Sequence, residues 1–120
     1  MTTPAGSIRL ASKRANSRGQ PPQPGESIVS IDRTNPVLGN RHILHNHRDS
    51  TEREIVIRLY EQDLVEDERV NGPMTKAIGR IADRVLAGER VVLMCWCFPE
   101  ADCHGRHIVT RVNRLIAEAT

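Results

Sequence analysis

The sequence predicts a small α/β protein in which a single layer of mostly parallel sheet is flanked by helices, in a Rossmann-like arrangement. The first observation is the run Val-Val-Leu-Met at residues 91–94, which has no polar alternation. Such a run is typical of a strand buried on both faces of a parallel sheet. The second is the order of the elements, because a strand, a loop, two helices, a strand and a helix follow one another. Alternation of this kind indicates an α/β layer fold with right-handed crossovers.

The first strand is predicted at residues 27–31, a short β-type run bounded by turn-forming residues. Residues 33–49 show no sustained periodicity and contain Asn-Pro and Gly-Asn turn signals. A loop of this length is usually functional or mobile. Because two strands alone make a poor sheet, residues 42–44 (His-Ile-Leu) are the candidate for a further short strand.

Three helices are predicted from apolar residues spaced three and four apart. Asp49 and Glu52 stand at capping-box spacing before the first helix, which is expected to end in the acidic stretch 63–69. The second helix follows an Asn-Gly-Pro turn and ends before Gly88, which stands where a C-cap belongs. The third helix covers residues 105–119.

The chain has 120 residues, the length of a single domain. It divides into a tail at residues 1–26 and an α/β domain at residues 27–120 that carries a C-terminal Cys/His cluster. The tail is rich in Pro, Gly and Ser and has few large aliphatic residues, so it is expected to be disordered. It is also basic, and we expect at most a weak, salt-sensitive contact with nucleic acid from its cations, Arg9, Lys13, Arg14 and Arg18.

Composition excludes several classes of function without choosing one. A formal net charge of +2 is too small to imply a partner, and a single Trp, Tyr and Phe argue against a base-stacking platform. No apolar run approaches the roughly 18 residues that span a membrane, and the N-terminus lacks the apolar core of a secretory signal. We therefore expect a cytoplasmic protein without membrane partners, and the oligomeric state stays open.

All three cysteines lie close together near the C-terminus, and His104 directly follows the last of them. In a reducing compartment such a cluster is more typical of metal ligands or catalytic thiols than of disulfides. On an extended strand Cys95 and Cys97 point to one face, and Cys103 and His104 then stand at the start of the last helix. Thiolates and imidazole are the donors that zinc prefers, so the predicted zinc ligands are Cys95, Cys97, Cys103 and His104.

Three interpretations of this cluster stay open. If all four residues bind, the zinc site is closed and structural; if His104 turns away, it becomes the candidate catalytic acid or base beside an open metal position. In the second interpretation the helix terminus lowers the pKa of Cys103 and makes it a nucleophile, with His104 or His107 as its base. In the third, Cys95 and Cys97 are buried as small apolar side chains.

The loop after the first strand holds a second set of candidate residues. An arginine beside a Gly-Asn turn suits a phosphate or a carboxylate, because guanidinium and backbone N–H groups both bind anions. The predicted ligand-binding residues are Arg33, Asn35, Gly39, Asn40 and Gly105. Whether His42, His45 and His47 join a metal site is left open. Trp96 is predicted to fill the core.

These residues resemble a known family. The segments Cys95-Trp96-Cys97-x-Pro99 and Cys103-His104-Gly105 are similar to the C-terminal signature of domain of unknown function 4326, a family found in phages and bacteria. The loop residues Arg33, Asn35, Gly39 and Asn40 resemble its Arg-x-Ser-x-x-Gly-Asn-Pro-Phe segment. Arg53 through Tyr60 resembles its Arg-x-x-x-Ile-x-x-Tyr helix, and the whole resemblance extends over residues 27–120.

The chain departs from that pattern at two places. Arg41 and His42 replace the Pro-Phe of the loop, and residues 100–102 lengthen the link before the last cysteine. The resemblance implies an α/β fold and a site built from Arg33, Gly39, Asn40, Cys95, Cys97, Cys103 and His104. It brings no established reaction, and it associates the family with nucleotide or nucleic-acid modification.

The leading hypothesis is a phage-encoded, zinc-binding α/β protein that acts as an enzyme in nucleotide or modified-base metabolism. Its small-molecule partner would be nucleotide-like or otherwise anionic. One alternative is a non-catalytic module that is stapled by zinc and binds nucleic acid or protein. The other is a cysteine enzyme that uses Cys103 as its nucleophile.

Overall fold

The computed structural model describes residues 6–97 and 102–120. It confirms a small α/β protein with a three-stranded parallel sheet and three helices. The elements in chain order are β1 (Ser7–Ser12), β2 (Glu26–Ser30), α1 (Ser50–Val70), α2 (Pro73–Leu86), β3 (Arg90–Cys95) and α3 (Gly105–Ala119). The Rossmann-like arrangement goes beyond this architecture and stays a prediction.

The last strand along the chain lies in the centre of the sheet. The strand order is β1-β3-β2, and both neighbours pair with β3 in parallel, with Leu10 and Val29 each opposite Leu93. Val91, Val92 and Leu93 are fully buried, which confirms the prediction of a strand covered on both faces. The central position explains why the run lacks polar alternation, since neither face of β3 meets water.

The prediction of a disordered tail at residues 1–26 is wrong for the strand β1. Ser7–Ser12 pairs with β3 along its whole length, and Ile8 and Leu10 pack against the core. These two residues alternate with Arg9, which is the period of a half-buried strand. The strand is short and polar on one face, and its support comes from β3, far away along the chain. The first strand of the domain therefore lies inside the predicted tail.

The segment between β1 and β2 is tied to the sheet by its basic residues. The Arg9 guanidinium donates to the backbone oxygens of Gln20 and Pro21 and forms a bidentate ion pair with Glu26. Lys13 Nζ lies 2.7 Å from Asp32 Oδ2. Two of the cations that were expected to be available for nucleic acid are thus paired within the fold, and the nucleic-acid contact itself stays a prediction.

The strand predicted at residues 42–44 does not form. In the described part of the chain these residues lie in the connection between β2 and α1. The place for a third strand is taken by β1, which pairs with the edge of β3 that β2 leaves open. The sequence thus contains the expected third strand, but upstream of the predicted position.

The first helix begins as predicted and ends later. The Asp49 carboxylate accepts from the N–H groups of Thr51 and Glu52, which is the capping role that its position indicates. The helix then continues through the acidic stretch to Val70, and Asn71 ends it in the left-handed region at φ 50°. The acidic side chains fit inside the helix because they have partners in neighbouring elements.

Those partners lie on the other two helices. The Arg111 guanidinium of α3, which is buried, forms ion pairs with Glu61 and Glu68 of α1. The Asp67 carboxylate accepts from the first N–H groups of α2, at Met74 and Thr75. Residues that appear in the sequence as a helix terminator therefore connect α1 to α2 and α3.

The remaining two helices agree with the prediction. The helix α2 (Pro73–Leu86) is followed by Gly88 at a positive φ of 99°, and α3 (Gly105–Ala119) has the predicted bounds. Their apolar stripes pack with one face of β3 to form the core. Across residues 6–97 and 102–120, no helix combines the length and the apolar character that crossing a membrane requires.

Candidate functional site

A cavity of about 380 Å³ lies at the carboxyl edge of the sheet. Asp32 and Arg33 line it from the connection that follows β2, Cys95 lines it from the end of β3, and Arg53 lines it from the first turn of α1. Parallel strands end at the same edge of a sheet, and ligands of α/β proteins bind beyond that edge. The topology therefore brings residues from distant parts of the sequence to one cavity.

The three cysteines meet at the floor of this cavity. Cys95 and Cys103 are buried, and their sulfurs lie 2.8 Å apart. Cys97 is half-buried, follows the end of β3, and is hydrogen-bonded to both of the other thiols. The sequence expectation that the three sulfurs converge describes this arrangement, which we call the thiol cluster (Cys95, Cys97 and Cys103).

A buried arginine stands beside the thiol cluster. Arg53 is 9% exposed, and its Nη1 lies 3.3 Å from Cys97 Sγ. The same guanidinium donates to the backbone oxygens of His47 and Asp102. Among the described residues it has no carboxylate partner, and a buried cation requires an anion nearby. The Cys97 sulfur is the group in contact with Arg53 that can supply that charge.

The hydrogen bonds of the cluster place the negative charge on Cys97. Donation from the thiols of Cys103 and Cys95, together with the Arg53 guanidinium, holds the pKa of Cys97 far below its ordinary value. Hydrogen bonds to Cys95 and Cys97 and burial raise the pKa of Cys103. Cys103 therefore keeps its proton and donates it. This is the opposite of the lowered pKa that its place at the start of a helix suggests.

His104 is held in one tautomer by the strand β2. Its Nε2 lies 2.7 Å from the backbone oxygen of Ile31, so Nε2 carries the hydrogen and donates it. Its Nδ1 lies 3.8 Å from Cys103 Sγ, and its ring packs edge-on against Tyr60. Burial lowers the pKa of His104, which favours the neutral ring. The lone pair on Nδ1 therefore faces the thiol cluster.

The fit of this cluster to zinc is partial. Its donor types suit the metal, and a metal-binding histidine commonly donates its other N–H to a backbone oxygen, as His104 does. Tetrahedral zinc with Zn–S bonds of about 2.3 Å holds its sulfurs about 3.8 Å apart. The distance of 2.8 Å between Cys95 and Cys103 is shorter than that. Within residues 6–97 and 102–120, no group of three or more His, Cys, Asp or Glu side chains is arranged to hold a metal ion.

The loop residues divide between the cavity and the scaffold. Arg33 and Asn40 line the cavity. Asn35 instead accepts from the N–H groups of Val37 and Leu38 and donates to the backbone oxygen of Ser30, which shapes the turn after β2. Asn35 therefore serves the loop itself.

The two predicted glycines are packing residues. A Cβ atom at Gly39 would collide with the backbone oxygen of Asp32, and one at Gly105 would collide with the side chains of Leu10 and Ile31. Both positions require glycine because other parts of the fold approach the backbone closely. Neither glycine appears among the residues that line the cavity.

The three loop histidines do not gather around the cysteines. His42 and His47 line the cavity, and His45 does not. His42 Nε2 lies 2.7 Å from Asp63 Oδ2, which fixes its ring against α1. The guanidinium of Arg41 and the ring of His42 lower the pKa of Asp63, so this group holds a carboxylate.

Two further cavity residues were not predicted as site residues. Asp32 follows β2 directly, and hydrogen bonds from Lys13, Thr34 and Trp96 hold its pKa well below the ordinary range. Trp96 is 52% exposed, so the prediction that it fills the core is wrong. Its indole N–H donates to Asp32 Oδ2 at 3.0 Å, and this bond holds the ring at the mouth of the cavity.

Arg53 was present in the sequence as part of the Arg-x-x-x-Ile-x-x-Tyr pattern, but it carried no site assignment. In the structure Arg53, Ile57 and Tyr60 share the buried face of α1. An arginine on the apolar stripe of a helix was the signal that could have identified it, because a cation there needs a buried anion.

Comparison with known proteins gives one match. No curated protein and no solved structure matches the chain. The family described as Domain of unknown function (DUF4326) matches residues 13–114, which include the thiol cluster, Arg53 and most of the segment that joins β1 to β2. Since this match covers most of the chain, the protein belongs to the DUF4326 family.

Proposed function

We propose that this protein is an enzyme that acts on a small, nucleotide-like anionic molecule, with the Cys97 thiolate as its nucleophile. The observation that carries the proposal is the contact of 3.3 Å between the buried Arg53 guanidinium and Cys97 Sγ. Arg53 favours the ionised form of Cys97, and the thiolate is the reactive form of cysteine. Cys97 thus replaces Cys103 as the candidate nucleophile.

The residues around the thiolate support an anionic, flat ligand. Arg33 is exposed on the cavity, and among the described residues its guanidinium has no ion-pair partner. The exposed ring of Trp96 lies on the same cavity. A guanidinium binds a phosphate, and an indole face stacks on a nucleobase. The cavity volume of about 380 Å³ lies within the range of small-molecule sites.

In the reaction the Cys97 sulfur donates an electron pair to a ligand carbon that bears a leaving group. The S–C bond forms, and the bond to the leaving group breaks with its electron pair on that group. Water then cleaves the S–C bond and regenerates the thiol. Cys95 and Cys103 contribute by donating hydrogen bonds to the sulfur while it is ionised.

A second candidate function is a zinc-stapled binding module without catalysis. It is supported by the grouping of three sulfurs and by the orientation of His104, whose Nδ1 faces Cys103. Zinc would be held by Cys95, Cys97, Cys103 and His104 after small side-chain rotations that separate the sulfurs. The ion would then stabilise the carboxyl edge of the sheet, and chelation would unfold it.

The test is the rate at which iodoacetamide alkylates Cys97 in the full-length protein, followed by mass spectrometry from acidic to neutral pH. We expect alkylation of Cys97 well below the ordinary pKa of cysteine, and protection by one or more members of a panel of nucleoside mono- and diphosphates. An Arg33→Ala variant should lose most of that protection, whereas Arg48→Ala, an exposed arginine outside the cavity, should keep it.

The same preparation separates the two candidates. If Cys97 reacts no faster than the cysteines of the urea-unfolded chain, and no nucleotide protects it, the enzyme proposal fails. One zinc ion per chain with all three thiols masked until a chelator is added would support the zinc-stapled module instead.

A further inference from the structure

We propose that Cys97 and Cys103 form a peroxide-reactive pair, in which a hydroperoxide oxidises Cys97 and Cys103 then closes a disulfide with it. This would be a reversible modification site, and it goes beyond the nucleophilic role proposed above. It does not require that role, because oxidation by peroxide needs no bound nucleotide.

The exposure of the three sulfurs selects Cys97 as the one that meets the oxidant. Cys97 is half-buried on the wall of the cavity, whereas Cys95 and Cys103 are almost completely shielded from solvent. The Arg53 guanidinium lies 3.3 Å from Cys97 Sγ and favours its thiolate. Accessible thiolates beside a cation are the cysteines that hydroperoxides oxidise first.

The chemistry balances without further reagents. The Cys97 thiolate attacks one oxygen of the hydroperoxide ROOH, the O–O bond breaks, and the products are Cys97 sulfenic acid and the alkoxide RO⁻, which takes a proton from water. The sulfur of Cys103 then attacks the sulfenic sulfur, and the thiol proton and the hydroxyl leave as water. Cys97 and Cys103 are thereby oxidised together by two electrons, and the hydroperoxide is reduced to an alcohol.

The surroundings of Cys103 suit it for the second step. His104 Nδ1 lies 3.8 Å from Cys103 Sγ, and because Nε2 donates to the Ile31 oxygen, Nδ1 is the nitrogen that can take the thiol proton. The N–H of Gly105, at the start of α3, points to the same sulfur at 3.4 Å. A base and a backbone donor therefore both favour the transient Cys103 thiolate.

The disulfide would remove the anion that faces Arg53. The oxidised protein would contain a buried guanidinium whose partner no longer carries charge, and the nucleophile of the cavity would be blocked. A thiol reductant would restore both, since a disulfide is reopened by thiol–disulfide exchange.

The experiment exposes the full-length protein to a small excess of hydrogen peroxide, blocks the remaining thiols with N-ethylmaleimide, and reads the products by intact mass and peptide mapping. We expect the loss of two of the three alkylatable thiols, a peptide cross-link between Cys97 and Cys103, and full recovery of the thiols with dithiothreitol.

Two matched serine variants complete the design. Cys95→Ser should still form the Cys97–Cys103 disulfide, whereas Cys103→Ser should stop at a sulfenic acid on Cys97 that dimedone labels. Circular dichroism checks that both variants are folded, and the wild-type peptide map decides the matter if they are not. A first product that links Cys95 to Cys103, or three thiols that survive the peroxide, would overturn the proposal. Neither result touches the alkylation test of the proposed function.

Discussion

Arg53 Nη1 lies 3.3 Å from Cys97 Sγ, and this contact joins the first turn of α1 to the carboxyl edge of the sheet. The two residues are 44 positions apart in the sequence. Each explains the other, because the buried guanidinium needs an anion and the thiol needs a cation to ionise. The chemistry of the cavity depends on this pair more than on any single cysteine.

Replacing Arg53 should therefore reduce the reactivity of Cys97. In Arg53→Met the cation is lost while most of the side-chain volume stays, so the pKa of Cys97 should rise. Each unit of that rise lowers the thiolate fraction about tenfold at a pH below the pKa. We expect the alkylation rate at mildly acidic pH to fall by about tenfold or more, with iodoacetamide as the probe.

The control for this variant is Arg58→Met. Arg58 lies on the exposed face of the same helix, so its loss should leave the alkylation profile unchanged. A profile of Arg53→Met that superimposes on that of the wild type would show that hydrogen bonds from Cys95 and Cys103 ionise Cys97 without help from the guanidinium.

Trp96 should contribute to ligand binding and little to stability. Its ring is exposed at the cavity mouth, and base–aromatic stacking contributes about 1–3 kcal/mol. We expect Trp96→Ala to weaken the binding of a protecting nucleotide by about fivefold to a hundredfold, measured by calorimetric titration. The melting temperature should change little.

Trp96→Phe separates stacking from the hydrogen bond to Asp32. The phenyl ring keeps a face for stacking but has no N–H to donate. We expect affinity between that of the wild type and that of Trp96→Ala. Equal affinity of all three proteins would exclude the ring from the ligand site.

The parts of the fold that sequence could predict are those whose signal is local. The stripes of α2 and α3 and the apolar run of β3 are each contained within one element. The strand β1 is different, because its stability comes from pairing with β3, about 80 positions away. The true end of α1 was missed for a similar reason: the acidic residues that suggested a terminator are balanced by Arg111 of another helix.

The site divides in the same way. The cysteines could be recognised as a cluster because they are neighbours in sequence, and folding them onto one edge follows from a strand and a helix start. Sequence could not show which sulfur carries the charge, since that depends on Arg53. Nor could it show that Asn35 and Gly105 serve packing, since their partners Ser30, Leu10 and Ile31 belong to other elements or to the strands that precede them.

The membership of β1 in the domain gives a stability prediction. Leu10 packs on the core from β1, and truncation of a buried leucine costs about 2–5 kcal/mol, with partly buried sites at the lower end. We expect Leu10→Ala to lower the free energy of unfolding by about 2 kcal/mol in a urea titration. Ile28→Ala on β2 is the matched control, because Ile28 is 57% exposed and should change stability by less than about 0.5 kcal/mol. If the two variants are equally stable, β1 does not contribute to the core.

The last prediction concerns acid. Hydrogen bonds from Lys13, Thr34 and Trp96 hold the pKa of Asp32 well below its ordinary value of 3.8, so the folded protein keeps this carboxylate ionised where the unfolded chain would protonate it. A folded-state pKa that is depressed gives stability that is present above the unfolded value and is lost as the pH falls below it.

The wild-type protein should therefore become less stable between neutral pH and about pH 3, measured as the shift in the urea midpoint. Asp32→Asn should be less stable than the wild type at neutral pH and should lose less on acidification, because the amide keeps an acceptor but has no charge to lose. Asp83→Asn, at an exposed position on α2, should follow the wild-type curve. If Asp32→Asn and Asp83→Asn respond equally to acid, the bond between Lys13 and Asp32 does not fasten the segment after β1 to the site, and Trp96 must be held at the cavity mouth by other contacts.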